Sequence, residues 1–75
     1  MITQINNIND LKALILECQE SGMQDYDNEM IFTIATAIKE SNFPVNQAAS
    51  ILDRSRTELL ALAASQGVTG FTVFN

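Results

Sequence analysis

Asn42-Phe43-Pro44-Val45-Asn46-Gln47-Ala48-Ala49-Ser50-Ile51-Leu52-Asp53-Arg54-Ser55-Arg56-Thr57-Glu58-Leu59 is the stretch on which the fold turns. Pro44 pushes Phe43 out of the α region, so a preceding helix is expected to close there and a new one to open at Val45. Ala48, Ala49 and Leu52 then fall on the inner face of a short helix running to about Leu52. Ser55-Arg56-Thr57-Glu58 has the form of a capping box, in which hydroxyl and carboxylate satisfy open backbone donors of the first helical turn. The helix that follows has Leu59, Leu60, Leu62 and Ala63 for its apolar face, and Gly67-Val68 has the form of a Schellman stop. Two short helices joined by a tight turn need a small residue where they meet, and Ala48 supplies it.

That combination reads as a helix-turn-helix over about residues 42–68, with the second helix as the reading head. The run Ala48-Ala49-x-x-Leu52-x-x-Ser55-Arg56-Thr57-x-Leu59, closed by Gly67-Val68, resembles the helix-turn-helix of the Fis type. It is also similar to a family of short prokaryotic antitoxin-like proteins, in which a helix precedes an Ala-Ala…Leu…Ser-Arg…Leu…Gly-Ile/Val run. The resemblance covers about residues 30–68. It implies a small DNA-binding transcriptional regulator acting as a homodimer. Arg54 and Arg56 would then meet phosphate or guanine, and Ser55 and Thr57 would contact the DNA backbone near the helix N-terminus. The chain departs from the pattern at three places. Asp53 stands where the turn glycine is usual, and Asp tolerates the left-handed conformation better than most residues. Arg54 replaces the apolar residue that normally plugs the turn. After Arg56 the reading helix continues through Glu58, Ala61, Ala64, Ser65 and Gln66 without another base, which weakens its hold on phosphate.

Upstream of this unit, Asn7 or Asn9 can cap a first helix whose stripe is Ile8, Leu11, Leu14, Ile15 and Cys18. Gly22 supplies its stop. A second helix begins at Asp27, with Tyr26 and Ile31 at the spacing of a hydrophobic staple. Its buried stripe is Ile31, Ile34, Ala35 and Ile38. The segment 1–5 alternates loosely enough for a short strand. At the other end, Phe71-Thr72-Val73-Phe74 is aromatic and β-branched, which predicts a second short strand. The expected architecture is therefore all-α: one domain over residues 1–75, four short helices, and short terminal β-strands.

Composition removes most chemistry. In 75 residues there is no histidine and a single cysteine, so neither a Ser-His-acid arrangement nor a Cys/His zinc site can be assembled. Cys18 lies on an apolar stripe with no cation beside it in sequence, which reads as a packed thiol rather than a nucleophile. Asp25, Asp27 and Glu29 alternate as the first ligands of an EF-hand loop do. The loop then fails, because Met30 takes the glycine position and Thr36 the bidentate glutamate position. We expect no catalytic residues, no metal and no cofactor, and hence a protein that works by binding.

The net charge of −5 is unevenly placed. Lys12 and Lys39 are the only bases in residues 1–40, against Asp10, Glu17, Glu20, Asp25, Asp27, Glu29 and Glu40. Residues 41–75 balance Arg54 and Arg56 against Asp53 and Glu58. A field of that sign repels phosphate at long range, and local neutrality around the helix-turn-helix softens the effect. The alternative to DNA binding is a protein-interaction module, an adaptor or inhibitor. Its acidic N-terminal half would meet a basic partner, or its apolar tail (Phe71, Val73, Phe74) would form an interface with a partner or a second copy. No apolar run reaches the ~20 residues of a membrane span, and no basic-then-apolar leader precedes the first helix. The reading is cytoplasmic.

Overall fold

The computed structural model describes residues 3–71. They form four helices, α1 (Ile8–Glu20), α2 (Asn28–Glu40), α3 (Val45–Ile51) and α4 (Arg56–Ser65). No strand occurs among the described residues, so the fold is all-α. Helices α1 and α4 each pack against both α2 and α3. The core between them joins Leu11, Leu14, Ile34, Ile38, Val45 and Leu59 from all four.

Each helix but α3 starts where a side chain can take up an open backbone N–H. Asn7 accepts from the Asp10 N–H at 3.0 Å, and the Asp10 carboxylate accepts in return from the Asn6 N–H at 2.9 Å. Asp27 accepts from Met30 at 2.8 Å through Oδ1 and from Gln24 at 3.1 Å through Oδ2. The Asp25–Glu29 run is thus a helix start, in which Asp27 is the cap and Glu29 lies in the first turn near the positive end of the dipole. Pro44 precedes α3 without a side-chain cap, and Ser55 caps α4.

The helix ends share one device. In each, the second residue past the cap donates its N–H to the carbonyl five residues back: Met23 to Cys18, Phe43 to Ile38, Arg54 to Ala49 and Val68 to Ala63. The residue before it donates to the carbonyl three positions back and sits in the left-handed region: Gly22 at φ +89°, Asn42 at +53°, Asp53 at +56° and Gly67 at +77°. These are four Schellman closures. The stops expected at Gly22 and Gly67 are found, and so is the turn at Asp53. The end of α2 differs from expectation. The helix stops at Glu40, and Asn42 rather than Pro44 closes it. Pro44 instead opens α3, where its missing N–H is no loss.

The predicted stripes largely hold. Ile31, Ile34, Ala35 and Ile38 are buried, as are Ala48, Ala49 and Leu52. Leu59 and Ala63 form the buried seam of α4, while Leu60 and Leu62 are half-buried at its margins. Ile8 is a correction. At the first position of α1 it is 40% exposed, and Ile5, three residues earlier, is buried instead. The Ile5 N–H donates to Ser41 Oγ at 2.7 Å, which ties the N-terminal segment to the end of α2. That contact takes the place of the strand expected over residues 1–5, whose first two residues lie outside those described. The strand expected from Phe71 onward falls mostly outside as well; Phe71 itself is in no strand.

Asp53, like Asn42, is a costly closure, because a side chain in the left-handed region is strained and glycine is not. Asp53→Gly is expected to raise stability by about 0.5–1 kcal/mol, and β-branched Asp53→Val to lower it by about 1–2 kcal/mol. Chemical denaturation of the three proteins checks the order.

Candidate nucleic-acid interface

Helices α3 and α4, of seven and ten residues, are joined by residues 52–55. The two helices pack against each other, and Ala48 of α3 is fully buried in the core. The turn and the first turn of α4 carry all four residues singled out from the sequence, and the structure gives them unequal roles.

Ser55 is occupied by the fold. Its Oγ accepts from the Glu58 N–H at 3.1 Å, and the hydroxyl faces Glu58 Oε1 at 3.4 Å. The hydroxyl half of the expected capping box is therefore present, while the Glu58 carboxylate meets the Ser55 hydroxyl in place of a backbone donor. Arg56 and Thr57 are exposed on the first turn of α4, at the positive end of its dipole. Exposed Asp53 and Glu58 stand within the same few residues, so the patch is close to neutral. Farther along, the exposed positions are Ala61, Ala64 and Ser65, none of them charged.

Arg54 is the surprise. Its guanidinium carbon lies 4.2 Å from the centroid of the Tyr26 ring, a cation–π stack. Nη1 donates to the Asp53 carbonyl at 3.1 Å. The Tyr26 hydroxyl in turn donates to the Leu52 carbonyl at 2.6 Å. Tyr26 itself has φ +60°, an unfavourable conformation for an aromatic residue, and its N–H donates to Met30 Sδ at 3.3 Å. The loop before α2 and the turn before α4 are thus fastened through one ring. Below the stack is an apolar cavity of about 20 Å³, bordered by Met30, Ile34, Leu52, Leu59 and Leu62. That is room for about one water, which would find almost no polar partner there. Arg54 borders the same cavity. It follows left-handed Asp53, and Tyr26 receives its charged head.

The sequence points to Tyr26 only as one half of a staple with Ile31; both do border this cavity. Its bond to Leu52 spans 26 positions, which local patterns do not reveal. The remaining candidate chemistry is quiet. Cys18 is fully buried, and burial pushes its thiol above the ordinary range, as do the carboxylates of Glu17, Asp27 and Glu29. It stays protonated and unreactive at neutral pH. An open cleft where α1 and α3 begin is lined by amides (Asn6, Asn7, Asn9, Gln47) and apolar side chains, with no titratable group to move a proton. No group of three potential metal ligands occurs among the described residues.

Two positions weigh these contacts. Ser55→Ala removes the cap of α4 and is expected to lower stability by about 1 kcal/mol. Tyr26→Leu removes both the stack and the bond to Leu52 and is expected to lower it by about 1–2 kcal/mol. Tyr26→Phe keeps the ring and should be less destabilised than Tyr26→Leu. Urea denaturation midpoints at constant slope measure all three variants.

No protein-family model matches the chain, and no curated protein or solved structure matches it either.

Proposed function

We propose that this chain is a small DNA-binding regulator of the helix-turn-helix, antitoxin-like kind, acting in the cytoplasm as a homodimer. The observation that carries the reading is the α3–α4 pair itself. Two short helices pack against each other, with Ala48 of the first fully buried, turn at left-handed Asp53, and present the capped N-terminus of α4 with Arg56 and Thr57 exposed. An α-helix end of that form can enter a major groove, where arginine reads guanine and the first-turn N–H groups meet phosphate. In this reading Arg56 makes the base or phosphate contact and Thr57 the backbone contact. Ser55 acts by holding the helix start. Arg54 contributes those N–H groups of its half-exposed head that the Asp53 carbonyl does not occupy.

Electrostatics sets the terms. Two arginines per copy neutralise few phosphates, so one copy would bind weakly and a pair of copies on a two-fold site is needed. The salt dependence of a dimer using all four should be shallow, with a log–log slope of roughly −3.6.

One observation favours a second reading. Beyond Thr57 the outer face of α4 has no base, and the acids of the chain are concentrated before residue 41. A protein-interaction module that sets this acidic half against a basic protein partner fits that distribution.

Random-sequence selection at low salt, followed by gel shift across a salt series, separates the two. Under the DNA reading, Arg56→Ala and Arg54→Ala each weaken binding and flatten the slope by about one unit for every phosphate no longer neutralised. A parent protein that retains no DNA, or variants that bind as the parent does, transfers the assignment to the interaction module.

A further inference from the structure

Glu29, Phe32, Thr36 and Lys39 are spaced three, four and three residues apart, so they form one line along α2. The line lies on the side away from buried Ile31, Ile34 and Ile38. Its middle is apolar and its ends are charged. Phe32 is 51% exposed, and Glu29 and Lys39 are exposed on either side of it. Thr36 adds carbon rather than oxygen to the line. The residue is half-buried, yet its Oγ1 is shut off from water and has no hydrogen-bond partner among the described residues. What its side chain turns outward is therefore its methyl group. Thr33, on the flank of the line, instead gives its hydroxyl to the Glu29 carbonyl at 2.8 Å.

The charges decide what can cover this line. Glu29 and Lys39 are ten positions apart, about 15 Å along the helix, and so too distant to pair with each other. A second α2 laid antiparallel, with a two-fold axis level with Ile34, sets position 29 against 39 and 32 against 36. Glu29 of each copy then meets Lys39 of the other, one pair at each end. Between them the two Phe32 rings meet the Thr36 methyls, and Glu40 falls opposite Asn28 rather than an acid. A parallel pair would set Glu29 on Glu29 and Lys39 on Lys39, which is unfavourable. The three–four spacing is that of a helix seam. Leu16 on α1 is equally exposed, at 53%, with Lys12 and Glu20 one turn to either side. There, however, Lys12 stands alone against Asp10, Glu17 and Glu20, so two copies of that helix repel more.

We infer that two copies of this chain associate through the outer line of α2, antiparallel, with Phe32 at the centre and the Glu29–Lys39 pairs at the rim. The helix has 13 residues and is about 20 Å long, so the contact is small for a specific interface and dimer exchanges with monomer. The inference stands without DNA, although it supplies the pair of copies that a two-fold site needs.

Sedimentation equilibrium of the full chain at low salt and without DNA, diluted from about 1 mM to about 1 μM, is the test. The parent is expected to pass from dimer to monomer across that range. Phe32→Ser should raise the dissociation constant about tenfold or more. Glu29→Lys and Lys39→Glu should each weaken self-association about three- to tenfold. An equimolar mixture of those two variants should recover it, because the mixed pair has a cation opposite an acid at both ends. A parent that is monomeric at every concentration overturns the inference. So does association that these substitutions leave unchanged, or a mixture that associates no better than either variant alone. Loss through Leu16→Ser in place of Phe32→Ser also overturns it, by moving the interface to α1. Should Phe32→Ser fail to fold, the charge variants decide alone. Failure to bind DNA alters none of these outcomes, so the two proposals fall separately.

Discussion

Each of the four helix ends among the described residues depends on a backbone N–H returning to a carbonyl in the last turn of its helix. A chain of 75 residues has little apolar surface to spend on holding loops in place, and one cysteine gives it no cross-link. The Schellman closure supplies direction locally: it stops the helix, satisfies its open carbonyls and aims the next residue inward. Phe43 and Val68 arrive in this way as buried core residues and Met23 as a half-buried one, each close to the carbonyl it bonds. Closure and core are therefore one event at three of the four helix ends.

The fourth end delivers an arginine. Arg54 holds the position that Met23, Phe43 and Val68 hold at the other ends, and a half-exposed charged head there gains from a partner. Tyr26 is that partner, and the demand explains its oddities together. Its left-handed backbone carries the ring across to the turn, its face receives the guanidinium, and its hydroxyl bonds the carbonyl of the turn's first residue. A small void lies beneath the stack, bordered by both Tyr26 and Arg54 and by apolar side chains of α2 and α4.

Those facts sort what a sequence of this kind can reveal. Caps and stops are local, so Asp27, Ser55, Gly22 and Gly67 are legible from neighbours a few positions away. The stripe of α2 is legible because all four of its expected members are buried. Asn42 is hidden because Pro44 offers a louder reason for the same helix to end. Ile8 misleads because periodicity continues to the edge of a helix even where the core does not, and Ile5 outside the helix is buried instead. At the candidate interface the sequence locates the residues but cannot divide them. Whether an arginine faces solvent or a ring depends on Tyr26, which comes 28 positions earlier in the chain.

Tyr26 is the only tyrosine, and the chain has no tryptophan. The near-ultraviolet spectrum of the whole protein is therefore dominated by the one ring that lies under Arg54. Phenylalanine absorbs weakly and at shorter wavelength, so it leaves that window clear. Anything that draws the guanidinium off the ring alters the polarity around a single chromophore, and the signal is undiluted by others. The molecule thus carries its own optical gauge at the turn before α4, and needs no label to report when that turn is touched.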